Sequence, residues 1–240
     1  MPSKRPQLAT GEIFHIVIRG VEGIKIFKDI NDYYRGIFSL YEFNNLNLVT
    51  IQKRREARKS FKNKICRNRI TTDFVDDRDQ MVEVLVFCLM PNHLHLLIKQ
   101  TKDNGISRFM GKLGVGYAGY FNTRYKHSGH VFQGRFKIVH IEKNEQLIAV
   151  FNYIHTNPLS LIEKGWKNGK IDNFRKADKF LENYKWSSYQ DYIGKKNFPS
   201  VSKRDFLLEF LGTEEKCRES VKDWIRNKGK IKKFSPVALE

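Results

Sequence analysis

His93-Leu94-His95 follows the turn signal Met90-Pro91-Asn92 and lies in a segment that reads as extended. Residues two apart in a strand share a face, so both imidazoles aim together while Leu94 and Leu96 aim the other way. Such a pair can hold one divalent cation, or it can be two core or surface histidines. Tyr153 and Asn157 stand four residues apart in a helical segment, which puts them on one helix face. An amide oxygen beside two imidazoles gives two nitrogens and one oxygen, a donor set that suits Mn²⁺ or Mg²⁺. A tyrosine next to such an ion is a candidate covalent nucleophile toward a phosphodiester, whose charge the ion offsets. The plain alternative makes Tyr153 a core residue of an amphipathic helix and Asn157 a helix stop before Pro158.

The elements that must carry these residues follow from periodicity. Residues 12–19 are β-branched and aromatic and end at Gly20, which predicts a strand. Residues 29–46 repeat apolar side chains at helical spacing, with Asp29 or Asn31 available as the cap. Residues 82–89 form a dense apolar run that predicts a buried strand, and 93–98 a second one. Residues 103–125 predict a helix, weakened by Gly111, Gly114, Gly116 and Gly119, which close packing or a ligand would explain. A strand over 136–141 and a helix over 144–156 complete an order that suits an antiparallel or mixed sheet with helices on one face, an α+β layer. Beyond residue 160, aromatics alternate with Lys and Gly, and 203–227 predict one or two short helices.

Composition narrows the partner. The 240 residues carry 44 Lys+Arg against 26 Asp+Glu, a formal net charge of +18. That excess favours a polyanion, most often nucleic acid. Nine of the seventeen residues 53–69 are Lys or Arg, so this stretch is a phosphate-binding arm or a solvated insertion. Arg19, Arg124, Arg135 and Lys137 are candidate phosphate or base contacts, because guanidinium forks match phosphate and guanine edges. No window approaches 18 consecutive apolar residues, which argues against a membrane span. The first residues lack the apolar stretch of a secretory signal, and Cys66, Cys88 and Cys217 have no paired spacing, which fits a reducing compartment.

Met90-Pro91-Asn92-His93-Leu94-His95-Leu96-Leu97 resembles the metal-binding strand of HUH-type single-tyrosine transposases, above all their REP-associated branch and the related bacterial insertion-sequence enzymes. Further stretches agree in order: His15-Ile16-Val17-Ile18-Arg19-Gly20, Tyr117-Ala118-Gly119-Tyr120-Phe121-Asn122, Gly129 to Lys137, Tyr153-Ile154-His155-Thr156-Asn157-Pro158 and Trp186-Ser187-Ser188-Tyr189. The resemblance implies a ferredoxin-like or RRM-like catalytic fold over 1–160 with a basic insertion at about 50–80. It leaves 161–240 as a mainly helical accessory region, DNA-binding, site-covering or merely stabilising. It implies His93, His95 and Asn157 as ligands of Mg²⁺ or Mn²⁺. It implies Tyr153 as the nucleophile that takes a 5′-phosphate and leaves a 3′-OH, on single-stranded DNA near hairpins. The implied protein is a monomer or homodimer, cytoplasmic and associated with a bacterial nucleoid. Phe132 and Tyr125 are candidate base-stacking residues. Two other readings stand beside this one. One is a domesticated, non-catalytic nucleic-acid-binding protein of the same fold. The other is a histidine–metal nuclease that activates water and uses Tyr153 only structurally.

Overall fold

A computed structural model describes residues 6–48, 56, 76 and 78–227. The basic stretch 53–69, with Cys66, lies outside the described residues apart from Glu56. Four strands, β1 (Ile13–Arg19), β2 (Val82–Met90), β3 (His93–Gln100) and β4 (Lys137–Ile141), form one sheet in the order β2-β3-β1-β4. Every pairing is antiparallel. Helices α1 (Ile30–Glu42) and α2 (Gly105–Tyr125) complete a β-α-β-β-α-β unit, the ferredoxin-like order. Helix α3 (Asn144–Thr156) follows β4, and α4 (Phe174–Asn183), α5 (Tyr189–Tyr192), α6 (Asp205–Leu211) and α7 (Glu214–Asn227) make up the extension.

Strand alternation divides the apolar side chains between two cores. Phe14, Ile16 and Ile18 of β1 and Leu94, Leu96 and Ile98 of β3 pack under α1 and α2. Leu97 and Ile141 face the other way, into a core with Val150, Phe151, Tyr153 and Ile154 of α3 and with Tyr189, Tyr192, Val221 and Trp224 of the extension. The expectation of helices on one face therefore holds for α1 and α2, while α3 and the extension cover the opposite face. The strands are apolar on both sides because both faces are buried. The second core is continuous across residue 160, so the extension and the sheet are packed together.

The dense apolar run of β2 forms an edge strand. Its free edge is closed by the segment after α4. Leu89 N donates to Trp186 O, Ser188 N donates to Phe87 O, and Cys88 and Ser187 form an isolated antiparallel bridge. The Tyr184 and Tyr192 hydroxyls donate to Leu89 O and Leu85 O at 2.7 and 2.8 Å. Covering an edge this way removes a template for unwanted strand pairing. A bulge between Val84 and Val86 bends β2 at the point where Tyr192 reaches Leu85.

Asp29 caps α1 in a reciprocal box with Asp32, as its position predicts. Of Gly111, Gly114, Gly116 and Gly119, only Gly116 is needed for close approach: a Cβ there would lie 2.2 Å from the buried Phe43 ring. A Cβ at Gly111 would meet nothing within 4 Å. We expect Gly116→Ala to lower unfolding free energy by about 1–3 kcal/mol through overpacking. Gly111→Ala should raise it by about 0.5–1 kcal/mol through helix propensity alone. Urea denaturation of both variants checks the opposite signs.

Candidate active site

The hairpin turn between β2 and β3 sets the position of His93. Gly20 N donates to Asn92 O at 2.8 Å, and Ile26 N and Phe27 N both donate to Pro91 O. Gly20 is required here, since a Cβ would stand 2.5 Å from Ile24 O. From this anchored turn β3 carries His93 and His95 onto the face that α3 covers. Their rings lie 4.8 Å apart, centroid to centroid, at 82°. His93 Nδ1 is 2.7 Å from Asn92 Oδ1. The Asn92 oxygen can only accept, so His93 Nδ1 carries the proton of this bond.

Helix α3 brings Tyr153 to the same face. Its ring meets that of His95 at 5.5 Å and 87°, and that of His15 at 5.9 Å and 73°. Asn157 follows α3 directly and is buried. Register places two of the predicted basic residues in the same neighbourhood. Arg19 pairs with His93, while Lys137 pairs with Val17, itself opposite His95. Opposed residues of an antiparallel pair share a face, so Arg19 and Lys137 flank the histidines. Arg135 is exposed just before β4.

Arg124 has other partners. Its guanidinium holds Asp29 at 2.6 Å and the fully buried Asp32 at 2.8 Å, tying α2 to α1. The two candidate stacking residues are likewise engaged. The Tyr125 hydroxyl donates to Asp32 at 2.6 Å, and Phe132 packs on Tyr117. Tyr117 and Tyr120 lie in the core beneath the other sheet face, where they donate to Ile26 O and Asp32. Burial pushes both phenols above their usual range. His127, His140 and His155 are partnered by Asn122, Glu12 and Ser188, which fits structural histidines.

The sequence gives no role to His15, yet it is central to this arrangement. It lies on β1, 1% exposed, with Nε2 at 3.1 Å from Nδ1 of the equally buried His95. Burial pushes the His15 pKa down to about 3. Burial also holds His95 well below the ordinary value, with the neighbouring His93, His15 and Arg19 adding to the effect. Both rings are therefore neutral at physiological pH, the form a cation requires. The available signal was a histidine inside an otherwise apolar strand, in phase with Arg19.

Among the described residues, no group of three His, Cys, Asp or Glu side chains could hold a metal ion. His95 Nε2 is buried without a hydrogen-bond partner, which fits a nitrogen reserved for a ligand. Burial pushes the thiol of Cys88, opposite His95 in the ladder, upward, so it stays protonated and apolar.

Residues 43–157 match the family model of IS200-like transposases. Over this segment the chain is similar to that family. The match runs from the end of α1 through β3 to Asn157, so it includes His93, His95 and Tyr153. A REP-associated tyrosine transposase, solved bound to a REP hairpin, is similar to the chain at 13% identity and a TM-score of 0.47. The similarity covers 85% of this chain and 93% of that one. No curated protein matches the chain. Among the described residues, no helix is long and apolar enough to cross a membrane.

Proposed function

We propose that this protein is a transposase of the IS200-like kind, which cuts and rejoins single-stranded DNA next to hairpins through a phosphotyrosine. The observation that carries the reading is the convergence of Tyr153 from α3 on His95 from β3, ring to ring at 5.5 Å. Tyr153 Oη would attack the phosphorus, forming an O–P bond as the bond from phosphorus to the 3′-oxygen breaks. The phenol proton ends, on balance, on the departing 3′-oxygen. The product is a 5′-phosphotyrosine and a free 3′-OH, and attack by another 3′-OH reverses the step and joins strands.

His93 and His95, with Asn157 as the oxygen donor, would hold Mg²⁺ or Mn²⁺. The bound ion would neutralise charge on the non-bridging oxygens and help ionise the phenol, whose unperturbed pKa is near 10. Arg19 and Lys137 would hold the phosphates on either side. The linkage conserves the energy of the broken ester, so no nucleotide is consumed. A net charge of +18 supports a polyanionic substrate.

The test incubates end-labelled oligonucleotides that tile the DNA flanking the gene, hairpins included, with protein and Mn²⁺ or Mg²⁺. A denaturing gel then separates free strand from adduct. A metal-dependent shifted band, lost in His93→Ala, is the expected result. Cleavage without a shifted band would support the water-activating nuclease. Binding without cleavage would support the non-catalytic relative.

Binding should also separate the basic residues. For a single strand, each lost phosphate contact reduces the slope of log K against log salt by about 0.7. We expect that reduction for Arg19→Ala and Lys137→Ala but not for Arg124→Ala, whose guanidinium is engaged by Asp29 and Asp32. Fluorescence-anisotropy titrations at several salt concentrations give these slopes. An equal change for Arg124→Ala would show that it too meets phosphate.

A further inference from the structure

We propose that His15 is a positioning residue that orients His95 for metal binding by accepting the His95 Nδ1 proton, which leaves the His95 Nε2 lone pair for the ion. This inference rests on the metal-assisted reading given above and adds a residue from a third strand to it.

The geometry permits few arrangements. His15 Nε2 and His95 Nδ1 are 3.1 Å apart, so one of them carries the shared proton. The strand register places His15 diagonally across from His95 on the same face, since Val17 pairs with His95. Both side chains are buried, and water does not compete for the bond. If His95 donates, the neutral His15 carries its own proton on Nδ1, which is likewise buried without a partner, so hydrogen bonding within the protein does not choose between the two arrangements. If His15 donates, the neutral His95 carries its own proton on Nε2, where no partner exists. That proton would also occupy the nitrogen a cation needs. If His95 donates, its Nε2 presents a lone pair, and an ion there satisfies an otherwise orphaned buried atom. The tautomers of the two rings are thus linked, and ion binding selects the arrangement in which His95 donates. His93 has its own orienting partner in Asn92, bonded at Nδ1 in the same sense. Each histidine would then offer Nε2, with its Nδ1 proton fixed by a neighbour. Such outer partners set ring orientation and ligand basicity at histidine metal sites.

The ring contact strengthens the assignment. His15 stacks on His95 with centroids 5.4 Å apart at 20°, and it also meets the edge of Tyr153. Removing the imidazole would therefore free the His95 ring to turn as well as remove an acceptor.

The experiment measures Mn²⁺ binding to the full chain without DNA, using the paramagnetic resonance signal of free Mn²⁺. It compares the native chain, His15→Gln and His15→Phe. Long-range ¹⁵N–¹H spectra of the native chain in saturating Mg²⁺ report which nitrogen of His95 is protonated. We expect His15→Phe to weaken Mn²⁺ binding by about 10–100-fold. Gln carries an acceptor oxygen near the place of Nε2, so His15→Gln should bind almost as tightly as the native chain. With Mg²⁺, His95 should carry its proton on Nδ1, shifted downfield by the bond to His15. Native-like Mn²⁺ affinity in His15→Phe would overturn the proposal, as would a proton on His95 Nε2 with Mg²⁺ bound. If His15→Phe does not fold, His15→Gln and the native spectrum still decide it. A native chain that binds neither ion would overturn the metal reading and this inference with it. A native chain that binds Mn²⁺ no better than His15→Phe does would overturn this inference alone.

Discussion

Tyr153→Phe is expected to abolish the covalent protein–DNA adduct and to lower strand cleavage by at least ~10³-fold, about 4 kcal/mol of barrier. The substitution removes one oxygen atom and keeps the ring. The edge contacts of that ring with His95 and His15 and its place in the core beneath α3 are retained. Thermal stability and DNA affinity should therefore stay near native, and only the chemistry should fall. Among the described residues, four other tyrosines of neighbouring elements are committed elsewhere. Tyr117 and Tyr120 lie on the far side of the sheet with their hydroxyls engaged. Tyr189 and Tyr192 are fully buried in the shared core. Single-turnover cleavage by both proteins under the same metal separates the readings, since a water-activating nuclease would keep its rate in the Phe variant.

Asp32→Ala should produce the largest loss of stability outside the site, about 3–5 kcal/mol, because it leaves a guanidinium and several donors without their buried acceptor. Asp32 is fully buried. It accepts from the Tyr120 and Tyr125 hydroxyls at 2.9 and 2.6 Å, from Arg124 at 2.8 Å and from Lys28 N at 2.8 Å. These donors come from the N-terminal end of α1 and the C-terminal end of α2, so one carboxylate ties the two helices together there. Arg124→Ala should cost less, because the tyrosine and backbone donors keep their acceptor and the Arg124 side chain is partly in solvent. Urea denaturation of the two variants checks the order. A loss below about 1 kcal/mol for Asp32→Ala would place the network among ordinary surface interactions.

Local features were legible in the chain where local physics decides them. The helix over 144–156 carries the boundaries its apolar period and Pro158 predict, and Asp29 caps α1. Alternation placed His93 and His95 on one face, while element order left the sheet antiparallel or mixed and the family resemblance pointed to the antiparallel form that is found. Features set by long-range packing were not legible. Nothing near Val82 indicates that β2 is an edge strand, because the residues that close its edge stand about a hundred positions later. The face taken by α3 depends on which core has room, and the extension supplies the other half of that core. Arg124 reads as a cation available to DNA until α1 brings Asp29 and Asp32 against it. His15 acquires a partner only through the β1–β3 register, which joins positions 80 residues apart.

The central claim is that Tyr153 becomes covalently linked to DNA. Its most direct test is peptide mapping of the trapped adduct. The native chain is incubated with a cleavable hairpin substrate and Mn²⁺, then digested with nuclease and trypsin, and the modified peptide is sequenced by mass spectrometry. The account predicts a nucleotide 5′-phosphate on Tyr153, within the peptide that contains Ile154-His155-Thr156-Asn157. A nucleotide on any other residue, or cleaved DNA with no modified peptide, would contradict it.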